Sequence, residues 1–301
     1  MYPIVSLPDN APDQMEQLGT KYKFWYRDEQ GQRCLFKEGR PGTGENWAEK
    51  VCCELCARLG IPHGHYELAA WKDHKGVVTP TFVPNGGRLV FGNELLAEFV
   101  PGYDGERRVR ARKHTLARVM AVMRLGGSGI EMPTGFVPPP EIENVAGLFI
   151  GYLMLDALVS NQDRHDENWG LIWLPDGRVT LAPTFDHASS LGRNERDKIR
   201  LERLSTGDLG RSVERYVERA RSALYDRPGE KAFTTLEAFD EAARLPETRA
   251  AKAYWLARLA AVRVAEFRSI LDNIPPTEIS DPARAFALRM LEINRERLLS
   301  C

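Results

Sequence analysis

Ser160-Asn161-Gln162-Asp163-Arg164-His165-Asp166-Glu167-Asn168-Trp169-Gly170 is followed closely by Thr184-Phe185-Asp186-His187. These two stretches decide how the chain is read. Asp163 offers a carboxylate that can orient a hydroxyl, while Asn168 and Asp186 offer an amide and a second carboxylate for a divalent cation. Phosphoryl transfer requires little covalent chemistry from a protein and depends on metal, positioned charge and an aligned acceptor, so this residue set in this order points to it.

Working outward, Gly170 to Leu174 and Arg178 to Ala182 flank Pro175-Asp176-Gly177 and read as a tight hairpin. Such a hairpin brings Asn168, before its first strand, towards Asp186, after its second. Upstream, Glu141 to Ser160 predicts a helix with almost no polar face, carrying Val145, Leu148, Phe149, Tyr152, Leu153 and Leu155. A helix apolar all round is a buried one, so it forms the spine that delivers the chain to Asn161.

The N-terminal third has a different pattern. Lys21 to Arg27 and Arg33 to Glu38 predict a hairpin around the turn Asp28 to Gln32, and Lys37 lies late in its second strand. Glu45 to Leu59 predicts a helix ending at Gly60, with Glu49 the acid chosen to hold Lys37 against nucleotide phosphates. Gly19, between Leu18 and Thr20-Lys21, marks a candidate phosphate loop. Val77 to Val83 and Arg88 to Phe99 read as further strands, after which Pro101-Gly102 breaks the run.

Beyond that break helices dominate: Thr115 to Leu125, the spine, one or two within 194 to 223, then Thr234 to Arg244, Arg249 to Asn273 and Ile279 to Leu299. The expectation is an α+β chain of two lobes in the manner of protein kinases. Residues 1–101 make a small antiparallel-sheet lobe, and residues 102–301 a larger, mainly helical one.

Composition narrows the alternatives. The 301 residues carry a formal net charge of −1, which supplies no general basic field for nucleic acid or an anionic membrane. The basic run from Glu106 to Lys113 reads as solvated. No apolar run reaches the roughly 20 residues of a bilayer span and the N-terminus lacks a signal core, so the expected place is the cytoplasm. Cys52, Cys53 and Cys56 lie in the pattern of the Glu45 to Leu59 helix and read as core packing. A hydrolytic metal site of Asp163, His165, Asp186 and His187 would leave Lys37 and Glu49 unexplained. Ser189 and Ser190 lack a nucleophile-elbow pattern.

At these residues the sequence resembles the HipA-like kinases, bacterial toxin-related serine/threonine kinases whose core is distantly similar to phosphatidylinositol 3- and 4-kinases. Asn161 to Asn168 matches their Asn-x-Asp-x-His-x-x-Asn loop, Phe185-Asp186 their metal-binding aspartate, and Leu35-Phe36-Lys37 their nucleotide-lysine strand. Asn168 follows Asp163 by five residues, the interval of protein kinases, although Asn161-Gln162 stands where those have His-Arg. Ala57 to Pro62 matches the end of the family's first helix, and Glu98-Phe99-Val100 resembles its hinge, where backbone groups meet adenine.

The resemblance implies ATP and Mg²⁺, with Asp163, Lys37 and His165 as the catalytic set. Gly19, Thr20, Lys21, Lys37, Glu49, Glu98, Phe99 and Val100 would line the nucleotide, and Asn168 and Asp186 would bind metal. It implies a protein Ser/Thr acceptor, an aminoacyl-tRNA synthetase or other translation-related protein being the family precedent, and an antitoxin-like partner. The chain starts almost at the phosphate loop, which suggests a core-only member, and Thr20 is the one hydroxyl near Gly19 where HipA toxins autophosphorylate. Two alternatives on the same core are a kinase for a small molecule or lipid head group and a non-catalytic nucleotide-binding module.

Overall fold

The computed structural model describes residues 1–15, 22–103, 112–125 and 129–301. Its first layer is a six-stranded sheet of β1 (Ile4–Leu7), β2 (Gln14–Met15), β3 (Lys23–Arg27), β4 (Arg33–Glu38), β5 (Glu67–Trp71) and β6 (His74–Pro80), in the order β1-β5-β6-β4-β3-β2. The β3–β4 hairpin forms as its sequence predicts, with Lys23 opposite Lys37. Its turn is held by Asp28 Oδ1, which accepts from the amides of Gln30 and Gln32 at 3.0 and 2.8 Å. Alternation along these strands turns Phe24, Tyr26, Cys34 and Phe36 into one apolar cluster with Leu7, Ala69 and Trp71. All neighbours are antiparallel except β1 and β5, so the sheet is mixed at that edge.

The helix α1 (Glu45–Leu59) packs on β5 and β6 and buries Val51, Leu55 and Leu59 completely. It ends where the sequence indicates, because Gly60 adopts the left-handed conformation at φ 75°, which costs a glycine nothing sterically.

The expected strand from Arg88 to Phe99 is corrected. Only β7 (Arg88–Phe91) is extended, and α2 (Gly92–Phe99) follows at once. Apolar residues at 89, 90, 91, 95, 96 and 99 suit either structure, but adjacent Leu95 and Leu96 are both buried, as a helix face allows and an alternating strand does not. The Glu94 carboxylate caps the helix start by accepting from the Phe91 amide at 3.1 Å.

Next come α3 (Leu116–Leu125), β8 (Ile130–Glu131) and the spine α4 (Val145–Val159), every residue of which is buried. Asn144 caps the spine, its side chain accepting from the Gly147 amide at 2.8 Å. The predicted hairpin forms as β9 (Gly170–Trp173) and β10 (Val179–Leu181) in a second sheet ordered β7-β9-β10-β8. Residues 88–91 are thus paired with a strand from beyond residue 102.

The remainder is α5 (Asp197–Ser205), α6 (Val213–Glu218), a β11 (Arg221–Tyr225) and β12 (Ala232–Thr234) ribbon, α7 (Thr235–Ala243), α8 (Arg249–Ala261), α9 (Val264–Asp272) and α10 (Asp281–Leu299). The single helix expected over 249–273 is two. Arg295 terminates the first by donating to the carbonyls of Ala260 at 2.8 Å and Val262 at 3.1 Å, which leaves Arg263 extended as the cap of the second.

Helices α7, α8 and α10 enclose the spine. Trp255 of α8 lies against Gly151 so closely that a Cβ there would fall 2.5 Å from the indole, and it donates to the Gly147 carbonyl at 3.0 Å. Each large apolar side chain buried here contributes roughly 1.5–3 kcal/mol, so packing holds the spine. Among the described residues no helix is long and apolar enough to cross a membrane.

Candidate active site

The spine ends at Ser160, a non-glycine residue in the left-handed region with φ 52° and ψ 49°. Asn294 of α10 holds this turn, its side-chain amide donating to Ser160 Oγ at 2.8 Å and to the Leu158 carbonyl at 3.0 Å. The chain then enters the loop 161–168.

That loop is organised by Arg164, which points away from solvent and is buried. Its guanidinium pairs with both oxygens of Asp156 on the spine, Nε to Oδ2 at 2.7 Å and Nη2 to Oδ1 at 2.8 Å. The same group donates to the Asn168 carbonyl at 2.8 Å and to Thr184 Oγ1 at 2.9 Å. A planar fork with five donors can fix three surrounding groups at once through four hydrogen bonds, which a lysine could not do. Asp156 also accepts from the Asn161 side chain at 2.9 Å, and Asn161 Oδ1 accepts from the Asp163 amide at 3.2 Å.

The outer side of the loop is braced by α2 and its surroundings. Tyr103 donates to Asp166 at 3.0 Å, the Asn93 amide to the Asp166 carbonyl at 2.8 Å, and the Trp169 indole to His114 Nε2 at 3.0 Å.

So held, Asp163 keeps its carboxylate 45% exposed. Ser189 donates to its Oδ2 at 3.1 Å, and His165 Nε2 lies 3.6 Å from its Oδ1. His165 Nδ1 accepts from the Glu167 amide at 3.1 Å, so the proton of the neutral ring sits on Nε2, facing Asp163. Asn168 donates its amide to the Asp163 carbonyl at 2.7 Å, which turns its own oxygen into the atom available to a cation.

The strands β9 and β10 close with the Ala182 amide on the Gly170 carbonyl at 3.0 Å, setting Asn168 and Asp186 just outside the same end of the hairpin. Asp186 adopts φ 57° and is steadied by Tyr66, whose hydroxyl accepts its amide at 3.3 Å. Lys37 crosses from β4 to Asp186 Oδ1 at 2.5 Å and lies 3.9 Å from Glu49 Oε2. Burial alone would lower its pKa, but Asp186 and Glu49 outweigh that effect and hold it above the usual lysine value. Glu49 is anchored from behind, its Oε1 accepting from the His187 amide at 2.7 Å.

Lys37, Glu49, Asp163, His165, Asn168 and Asp186 therefore converge. Gly19, Thr20 and Lys21 lie outside the described residues, as does most of the basic run 106–113. Glu98 and Phe99 stand exposed on α2, and the Val100 amide is already engaged by the Leu96 carbonyl at 2.9 Å. The segment that leaves β6, the strand paired to β4 with Val77 opposite Lys37, is instead Thr81 to Val83. Phe82 there stacks on Phe185 at 5.5 Å, over a cluster of Ile172, Ala182, Val83 and Leu174.

Sequence reasoning missed this segment, and it missed Asp156, Thr184 and Tyr103 as supports. Thr184 and Tyr103 act through partners 20 and 63 residues away, whereas Asp156, only five and eight residues from Asn161 and Arg164, was hidden inside a helix that reads as wholly apolar.

No family model matches the sequence, and no curated protein matches it. Solved structures do match. The Helicobacter pylori proinflammatory kinase CtkA superposes with a TM-score of 0.73 at 18% identity, covering 99% of this chain and 96% of that one. HipA of Shewanella oneidensis MR-1, in its complex with HipB and operator DNA, gives 0.55 at 12% identity over 97% of this chain and 66% of that one. The likeness extends over nearly the whole of this chain, and the chain has the two-lobed HipA-like kinase fold.

Proposed function

We propose that this protein is a kinase that uses ATP and Mg²⁺ to phosphorylate a serine or threonine hydroxyl of another protein. The observation that carries the reading is the convergence of Lys37 and Glu49 from the sheet lobe upon Asp186, beside Asp163 and Asn168 from the helical lobe.

The donor set fits a hard divalent cation. The Asn168 oxygen and the partly exposed Asp186 carboxylate are oxygen ligands at the cleft, the kind Mg²⁺ takes together with substrate phosphates. Such an ion supplies charge neutralisation for the phosphate oxygens. The chain's own residues do the rest. Lys37, kept protonated by its two carboxylates, offers positive charge to the phosphates, and Glu49 limits its travel. Asp163 accepts a hydrogen bond from the acceptor hydroxyl and aligns its oxygen for attack. His165 and Ser189 hold that carboxylate in place. Adenine would lie on the apolar floor near Phe82, beside the segment Thr81 to Val83 that leaves β6, rather than against Glu98 to Val100 as the resemblance implied.

A macromolecular acceptor is favoured over a small one because Asp163 stands open to solvent instead of at the base of a closed pocket. By analogy with HipA, crystallised with HipB, a regulatory partner protein belongs to the same reading.

The test is incubation with radiolabelled ATP and Mg²⁺, alone and with a cell lysate, beside Asp163→Ala and Asp186→Asn. Label on the protein or on a lysate component, lost in both variants, is expected. Absence of label together with absence of calorimetric ATP binding would overturn the assignment.

A further inference from the structure

Apart from the proposed active-site cleft, one group of side chains among the described residues has the composition of a transition-metal site. Cys53 of α1, His63 and His65 place one ligand atom each within 4.8 Å of one another. Cys53 is buried, His63 half-buried and His65 exposed. The sequence placed Cys53 in the helical core, and the structure agrees, yet it also sets this thiol beside a His-x-His that arrives from the loop after Gly60.

The environment of His63 is what distinguishes the group from an accidental cluster. Its Nδ1 lies 2.7 Å from the Ile61 carbonyl, which can only accept, so the neutral ring carries its proton on Nδ1. That leaves a lone pair on Nε2, an atom closed to solvent and without a hydrogen-bond partner. A buried polar atom left unsatisfied costs stability, and a backbone carbonyl fixing the other ring nitrogen is the usual support of a metal-bound histidine. The Tyr66 amide donates to Cys53 Sγ at 3.3 Å, a contact that favours thiolate charge, while burial, the larger effect, pushes the metal-free thiol up to about 11.

We propose that Cys53, His63 and His65 bind one zinc ion or a similar borderline divalent cation, with water completing a tetrahedron. The ligand type and number suit zinc and not Mg²⁺, which prefers oxygen. Tetrahedral bonding requires ligand separations of about 3.4–3.8 Å, and the exposed His65 ring can swing by the needed ångström. Binding releases the Cys53 thiol proton to solvent, one per ion, while both histidines bind neutral through existing lone pairs.

The ion would join two parts of the cleft. Cys53 lies one turn beyond Glu49 on α1, and the loop 62–64 pairs with Thr184, whose amide donates to the Pro62 carbonyl and whose carbonyl accepts from the Gly64 amide, each at 2.9 Å. Thr184 precedes Asp186 by two residues. A cation here cross-links the helix that holds Lys37 to the segment that carries Asp186.

The experiment is titration of the chelator-treated full chain with Co²⁺, read by absorption, followed by displacement with Zn²⁺. Expected are one cobalt per chain, a thiolate-to-cobalt charge-transfer band with the visible bands of a four-coordinate ion, and no displacement by excess Mg²⁺. Cys53→Ser abolishes the charge-transfer band, whereas Cys34→Ser and Cys301→Ser retain it. His65→Ala, at an exposed position that leaves the fold intact, weakens cobalt binding tenfold or more. The proposal is overturned by a missing band in the parent protein, by a band that survives Cys53→Ser, or by unchanged affinity in His65→Ala. None of these readouts depends on kinase activity.

Discussion

Arg164 and Asp156 form a fully buried, two-point ion pair that joins the loop 161–168 to the helical spine, and the same guanidinium reaches Thr184 on the approach to Asp186. Removing one member strands the other charge in the interior. Arg164→Met is therefore expected to lower unfolding stability by about 3–5 kcal/mol, with a loss of nucleotide binding that adding Asp156→Asn, which removes the stranded charge, only partly reverses. Chemical denaturation of the single and double variants in a thermodynamic cycle measures both effects.

Asp163 differs, being exposed and supported by light contacts. Asp163→Asn should reduce the rate of phosphoryl transfer by about 10²–10⁴-fold while ATP affinity measured by calorimetry stays within a few-fold of the parent value. Ser189→Ala removes a single hydrogen bond to Asp163 and should cost about 1 kcal/mol, close to fivefold in rate.

The left-handed backbone at Asp186 separates its two duties. Asparagine tolerates that conformation but leaves the buried Lys37 ammonium with Glu49 as its nearer charge partner, so Asp186→Asn should lower the melting temperature by a few degrees and lose Mg²⁺-dependent nucleotide binding. A β-branched residue does not tolerate it, so Asp186→Val should lose the same binding and destabilise the fold by an additional ~1–2 kcal/mol. Differential scanning fluorimetry with and without ATP and Mg²⁺ distinguishes the two cases.

A pH effect is expected at the start of α7. The Thr234 amide donates to Glu237 at 2.6 Å and, more than any other contact, holds its pKa below the ordinary carboxylate value. A depressed carboxylate contributes stability above its unfolded pKa, and that contribution disappears as pH falls through the folded value. Glu237→Gln should thus cost a few tenths of a kcal/mol at neutral pH, and parent and variant should converge as the pH falls below the ordinary carboxylate range. Urea midpoints at several pH values check this.

Local signals made much of the architecture readable. The interval from Asp163 to Asn168 and the Pro175-Asp176-Gly177 turn specify themselves within a few residues, and α1 is bounded by a glycine that does what glycines at helix ends do. Helix phase left Glu49 off the solvated face without naming its partner, and the structure sets it 3.9 Å from Lys37.

What stayed hidden depended on distant partners. Residues 88–99 carry an apolar pattern compatible with either period, and the choice was made by β9 and by Glu94. The short edge strand β1 becomes a strand only because β5, over sixty residues later, offers it a parallel partner. The break between α8 and α9 is imposed by Arg295. Cys53 and the His63–His65 pair belong to different elements, so no spacing rule could join them.

The hydrogen bonds from Asn294 to Ser160 and Leu158 have a consequence in time. The turn that leads into the loop 161–168 is clasped by a residue 134 positions further along the chain. During synthesis Lys37, the spine and the segment 184–187 all emerge before that clasp exists. The loop acquires this support only once α10 has been made and packed, so a polypeptide that stops short of α10 carries each of these side chains and still lacks the fastening that sets them.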